Sequence, residues 1–188
     1  METEYEAKFL DIDKDDVRAR LEAAGAKMLK PKYLQKRWVF DLPAERHSRK
    51  VFVRVRDEGD KICMTWKRFA FTEKDNPDEI EIVVDSFDNA VDILTEIGCV
   101  PRSYQESYRE WWELDDAEIT IDTWPFMEPF VEIEGTAESK VENAAKKIGS
   151  DWSKALFAGV NRLYQDKYGK DIHIREMPKL TFSMPNPF

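Results

Sequence analysis

Apolar and polar positions alternate with a period of two along much of this chain. Residues 2–10, ETEYEAKFL, set Glu2, Glu4, Glu6 and Lys8 against Tyr5, Ala7 and Phe9. Successive strand side chains point to opposite faces, so the pattern predicts a strand with one charged face. By the same rule, with β-branched and aromatic enrichment, strands are expected over 33–41, 50–57, 61–69, 78–85, 104–114, 117–124 and 129–135. The period turns helical over 11–27, where acids precede Val17, Leu21 and Ala24 and Gly25 ends the run, and again over 85–98, which Gly98 ends. Helices are also expected over 139–149 and 152–169. The segments DEGDK and DDA read as tight turns between strands. Residues 171–188 contain three prolines and no period. The expected organisation is a single domain over 1–170 followed by an irregular C-terminal tail over 171–188.

One charged strand face is ordinary, but here it recurs. Arg54 and Arg56 lie opposite Val53 and Val55, Glu79 and Glu81 opposite Ile80 and Ile82, and Glu132 and Glu134 opposite Val131 and Ile133. Lys67 and Asp122 fall on charged faces of their own strands. A common explanation is an α+β fold with a closed antiparallel sheet turned inside out, apolar faces covered by helices and charges lining a lumen. Buried charges cost several kcal/mol each (roughly) unless they are paired or bound to ions. Such a lumen makes sense when carboxylates take a hard divalent cation through oxygen while arginine and lysine hold phosphate oxygens.

Composition narrows the partners. The chain has 188 residues, 42% of them hydrophobic, and a mean hydropathy of -0.61. It carries no apolar run long enough for a membrane span and no basic-then-apolar leader, so a cytoplasmic protein with no membrane partner is expected. Cys63 and Cys99 stand in no metal-ligand spacing and read as small buried residues. The formal charge of -9 argues against nucleic acid as a partner. Trp66, Trp111, Trp112 and Trp124 are expected as packing outside the barrel or at its rim. Neither His47 nor His173 stands at a catalytic-triad spacing, and the chain has no Gly-rich phosphate loop.

In order along the chain, these charges resemble the CYTH-type triphosphate tunnel metalloenzyme family, which includes class IV adenylyl cyclases and thiamine triphosphatase-like proteins. The family's opening ExExK is matched by Glu4, Glu6 and Lys8, its RxR by Arg54 and Arg56, and the next strand's lysine by Lys67. Glu79 and Glu81 match its middle ExE, Arg109 and Asp122 its later arginine and aspartate, and Glu132 and Glu134 its closing ExE. The resemblance covers roughly residues 1–165. It implies an eight-stranded antiparallel β-barrel, the triphosphate tunnel, with helices packed outside. It also implies that Glu4, Glu6, Asp122, Glu132 and Glu134 ligate Mg2+ or Mn2+, and that Lys8, Arg54, Arg56, Lys67 and Arg109 bind the substrate. Glu4, Glu6 and Lys8 are the expected catalytic set. Glu79, Glu81, Arg37 and Lys154 are candidate supporting residues.

Three functions compete for such a site. They are metal-dependent hydrolysis of a small triphosphate, cyclisation of ATP to cyclic AMP and pyrophosphate, and binding of polyphosphate without turnover. The family's cyclases place a His-Phe pair near the chain start, whereas only Met1, Glu2 and Thr3 precede Glu4 here, which weakens the second. Metal and cation sets that are both complete make the third the weakest. A homodimer stays open.

Overall fold

The fold follows from one strand pattern repeated eight times. In the computed structural model, which describes residues 5–48, 50–68 and 78–188, the strands are β1 (Tyr5–Phe9), β2 (Lys27–Asp41), β3 (Val51–Asp57), β4 (Ile62–Arg68), β5 (Asp78–Val84), β6 (Val100–Leu114), β7 (Ala117–Thr123) and β8 (Phe130–Gly135). They form one curled antiparallel sheet in the order β1-β8-β7-β6-β2-β3-β4-β5, and a two-residue strand β9 (Lys179–Leu180) pairs in parallel with β6. The expected α+β class and outward-packed helices are both present. Among the described residues β1 and β5 remain the two ends of the ladder, so the sheet is a curled half-barrel rather than a ladder closed on itself.

Three helices, α1 (Lys14–Ala23), α2 (Phe87–Glu96) and α3 (Glu138–Lys147), cover the convex face, whereas α4 (Val160–Tyr168) packs at the concave side, where its Val160 and Asn161 line the cavity. Asp13 caps α1 through the Asp15 and Asp16 N–H groups, and Ser86 caps α2 through Asn89. Val17 and Leu21 of α1 and Val141, Ala144 and Ala145 of α3 pack on Ala7, Phe9, Ile119, Ile121, Val131 and Ile133. Ala90 and Leu94 of α2 pack on Phe40, Val53 and Val55. A third cluster joins Trp124 and Phe130 to Leu163 and Tyr164 of α4 and to Ile174 and Leu180. The first two cores thus lie outside the sheet, whereas the third borders the concave face through Trp124, Val160 and Ile174, and the rest of that face carries the charged positions. None of the helices among the described residues is long and apolar enough to cross a membrane.

Two strands run longer than the alternation predicts. β2 begins at Lys27 and β6 at Val100. Residues 27–32 of β2 lack alternation and include Pro31, yet they pair only with β6, because β3 joins β2 at Lys36 and beyond. A proline is tolerated where one side of the strand carries no ladder. The DDA turn has φ of 49° at Asp115 and 63° at Asp116, the left-handed pair that a two-residue hairpin with this twist requires. The helix expected over 152–169 is instead split. A 3-10 turn (Trp152–Lys154) is followed by Leu156, which exchanges backbone hydrogen bonds of 2.9 and 3.0 Å with Lys8, and α4 starts only after Gly159. That tertiary pairing on the open edge of β1 overrides the local helical period.

Candidate functional site

Alternation dictates which side chains reach the concave face. On β2 these are Tyr33, Gln35 and Arg37, on β3 Arg54 and Arg56, and on β6 Gln105, Arg109 and Trp111. Glu118, Asp122 and Trp124 follow along β7 and its end, with Glu132 and Glu134 on β8 and Glu6 and Lys8 on β1. Lys67 of β4 and Glu79 and Glu81 of β5 complete a cavity of about 380 Å³.

The strand register gives this cavity a polarity. Glu6 lies directly opposite Glu134, and Glu134 opposite Glu118, so three carboxylates stand side by side on β1, β8 and β7. Adjacent like charges on one face are destabilising unless a cation intervenes. Toward the other end Arg37 pairs with Arg56, and Val39 with Arg54. Between the two ends, Lys8 is 1% exposed and holds Glu132 at 2.8 Å and Glu6 at 2.9 Å. Burial alone would lower the Lys8 pKa, but Glu132 and Glu6 raise it above its ordinary value. Arg109 donates to both oxygens of Asp122, at 2.8 and 2.6 Å, and to Glu132 at 3.1 Å, a forked pairing that lysine could not reproduce. Burial pushes the Glu132 carboxyl up, yet Lys8, Arg109 and Lys67 outweigh it and bring the pKa down to about 2.

The arginines at the far end are compensated unevenly. Arg37 is 6% exposed and its polar partners are neutral: Gln35 at 2.9 Å and the Ser107 hydroxyl. Its guanidinium lies 4.5 Å from the centre of the Trp124 ring. Burial, then Arg54, Arg56 and Arg109, drive its pKa well below the usual arginine value. Arg54 has a 3.5 Å contact with the Thr65 hydroxyl, and burial with Arg56 nearby pulls its pKa down to about 10. Arg56 holds Glu58 at 2.6 Å. The buried Nε atoms of Arg37, Arg54 and Arg56 have no hydrogen-bond partner among the described residues. Buried guanidinium donors left unsatisfied and facing one another are what a bound polyanion would relieve.

Of the residues singled out from the sequence, Glu6, Lys8, Arg37, Arg54, Arg56, Lys67, Glu79, Glu81, Arg109, Asp122, Glu132 and Glu134 all line this one cavity. Lys67 pairs with Glu79, and Glu81 accepts from the Thr65 hydroxyl at 2.8 Å with Arg56 at 3.8 Å. Lys154 lies exposed on the 3-10 turn and is not among the lining residues. Glu4 lies outside the described residues. The tryptophans divide. Trp66 and Trp112 pack outside the sheet, whereas Trp111 and Trp124 line the cavity, so the expectation of purely outer or rim packing is corrected for that pair.

Sequence reasoning missed Tyr33, Gln35, Glu58, Gln105, Glu118, Asn161 and Arg175, which also line the cavity. Most carried a readable signal. Tyr33 and Gln35 continue the Arg37 face, Gln105 the Arg109 face and Glu118 the Asp122 face, each in steps of two. Glu58 extends the Arg54–Arg56 face by one step into what reads as a turn, and it is buried at 5% exposure. Asn161 and Arg175 come from the helical and tail segments, where no strand period could flag them.

The donor set suits a hard divalent cation, since Glu6 and Glu134 offer carboxylate oxygens across one register position. Among the described residues no group of three or more acidic, histidine or cysteine side chains is already gathered to hold an ion, because Asp122 and Glu132 are turned to Arg109 and Lys8.

The family model for the CYTH domain matches residues 2–161. Comparison with curated proteins gives no match. Among solved structures, a protein from Pyrococcus horikoshii is similar at 19% identity and a TM-score of 0.69, over 83% of this chain and 96% of its own. A candidate adenylate cyclase from Vibrio parahaemolyticus is similar at 12% identity and a TM-score of 0.74, over 87% of this chain and 98% of its own. A candidate adenylyl cyclase from Hippeastrum, described as having a dominant triphosphatase activity, is similar at 15% identity and a TM-score of 0.56, over 94% of this chain and all (100%) of its own. At these identities each likeness carries the fold alone.

Proposed function

Because this chain belongs to the CYTH domain family, we propose that it hydrolyses a small triphosphate with Mg2+ or Mn2+ inside the sheet's concave face. The observation that carries this reading is the arginine cluster. Arg37, Arg54, Arg56 and Arg109 converge in one cavity, and three of them hold buried donor atoms without a partner among the described residues. A phosphate chain offers the negative charge and the acceptor oxygens that such donors need. Glu6 and Glu134, with Glu4, Asp122 and Glu132, are the proposed metal ligands. Bound there, a divalent ion neutralises phosphate oxygens and eases attack of water in line with the leaving phosphate. Arg54 and Arg56 clamp the chain, and Lys67 and Lys8 add point charges to it. Arg109, already fixed by Asp122, orients the central phosphoryl group. Lys8 keeps Glu6 and Glu132 apart and in place.

The test is a product assay on the purified chain with tripolyphosphate and with ATP, each with magnesium and with manganese. Release of inorganic phosphate, abolished by chelator, is the expected result. Cyclic AMP with pyrophosphate would replace hydrolysis by cyclisation, and binding with no product would reduce the site to a polyphosphate holder.

A further inference from the structure

Turns between strands are ordinarily solvated, yet the one joining β3 to β4 sends a buried carboxylate into the cavity. Glu58 follows Arg56 by a step of two and lines the cavity beside it. Its Oε1 lies 2.6 Å from Arg56 Nη2, and its Oε2 lies 3.5 Å from Lys61 Nζ. Gln35 Nε2 reaches Oε1 only at 3.5 Å. The turn itself is tied down through its main chain. The Glu58 N–H donates to the Lys61 carbonyl at 2.9 Å, and Lys30 Nζ donates to the Glu58 carbonyl at 2.7 Å and pairs with Asp60. With the peptide held from both sides, a change of partner at Glu58 is a side-chain rotation.

Two carboxylates of the cavity hold arginines, and they do so differently. Asp122 takes Arg109 with both oxygens, at 2.8 and 2.6 Å, a fork that fixes the guanidinium. Glu58 meets Arg56 at one pair of atoms, and Arg56 Nε, the other prong of a side-on fork, is buried without a partner among the described residues. The single contact is the easier one to exchange. Because the second oxygen of Glu58 already faces the exposed Lys61, rotation away from Arg56 carries the charge to another cation instead of leaving it buried and unpaired. Arg56 in turn needs an anion while the cavity is empty. It stands directly opposite Arg37 in the strand register, and like charges so placed are destabilising. Glu81, at 3.8 Å from Arg56, is already engaged by the Thr65 hydroxyl at 2.8 Å.

We propose that Glu58 is an affinity-setting residue, an internal anion that occupies Arg56 in the empty cavity and yields it to the phosphate chain by passing to Lys61. This deepens the triphosphatase reading and rests on it. Any ligand that takes Arg56 must first displace a carboxylate, so a monoanion gains little by the exchange. A polyphosphate that reaches several cations at once gains most. Tripolyphosphate, with calcium in place of a catalytic metal, is titrated by calorimetry into wild type, Glu58→Gln and Glu58→Asp. Glu58→Gln is expected to bind about ten-fold more tightly than wild type. Glu58→Asp keeps the charge but withdraws it from Arg56 by one methylene, and is expected to tighten binding in the same direction by a smaller factor. Unchanged or weaker binding in either variant would overturn the assignment and leave the triphosphatase reading standing. Tightening in Glu58→Gln alone belongs to that outcome, because general repulsion between a carboxylate and a polyanion would give it without any exchange at Arg56. Failure of the wild type to bind tripolyphosphate would remove both readings. Should Glu58→Gln fail to fold, Glu58→Asp, whose charge is unchanged, decides the matter by itself.

Discussion

Glu132 sits where Lys8 and Arg109 meet, and its depressed pKa makes it a pH-dependent part of the fold. A carboxylate whose folded pKa lies below its unfolded value contributes stability above the ordinary glutamate pKa of about 4.3 and loses it as pH falls toward the folded value. Glu132→Gln leaves buried Lys8 with Glu6 alone, and breaking a buried pair of this kind costs about 3 kcal/mol. Urea midpoints of wild type and variant should therefore differ clearly at pH 6 and draw together as pH falls from about 4.3 toward 2; a gap constant with pH would show that the Glu132 charge does not matter. Arg56 offers a second test. Its planar fork is matched to carboxylate and phosphate oxygens, so Arg56→Lys should weaken triphosphate affinity about ten-fold or more, and identical KM values would take the side chain out of the binding set. At this scale the sequence was readable wherever an alternating strand carried a charge. It failed at Tyr33, Gln35 and Gln105, because neutral side chains on a charged face look like spacers until Gln35 is seen holding Arg37.

At the scale of elements, helix α1 is fastened to the sheet by more than its apolar stripe. Arg18 donates to both oxygens of Glu110, at 2.9 to 3.1 Å, and Trp112 donates to the same carboxylate at 2.9 Å. Glu110 is buried on the outer face while Arg18 is partly exposed. Arg18→Ala should cost about 1.5–3 kcal/mol, the range for hydrogen bonds to a charged group, read as a lower melting temperature with unchanged KM. The turn joining β6 and β7 should respond in the opposite sense. Asp116 holds a left-handed φ of 63°, and Asp116→Gly should add about 1 kcal/mol, less what its exposed contact with Lys140 contributes. The sequence placed both tight turns and the first three helices within a few residues, since each carries local punctuation. It could not split the fourth helix, because the cause is Leu156 pairing with Lys8 from the far end of the chain, nor extend β2 through Pro31, because the tolerance there depends on which neighbour is missing.

For the whole molecule, the formal charge of -9 and the enclosed arginines act at different distances. Far from the surface a free polyanion meets repulsion, and inside the cavity it meets attraction. Association of tripolyphosphate without divalent ions should accelerate as monovalent salt rises from 10 to about 100 mM, where the screening length falls to about 10 Å; a rate that falls instead would place the arginine field outside the cavity mouth. Filling the cavity should also stabilise the fold. At a hundred-fold excess over the dissociation constant a ligand contributes about 2.7 kcal/mol, so tripolyphosphate with calcium should raise the melting temperature by roughly 5–10 °C, and monophosphate by far less because it cannot span cations on several strands. The order of the sheet carries a different kind of consequence, one that concerns synthesis. β1, made before the other strands of this sheet, has β8 as its sheet neighbour and Leu156 on its open edge. Ala7 and Phe9 cannot find their burial until β8 and Leu156 have been translated, while β2, β3 and β4 can pair in the order they emerge. The nascent chain therefore presents an apolar strand without a mate while β2 to β7 are being made, and Glu6 and Lys8 keep its other face hydrated while it waits.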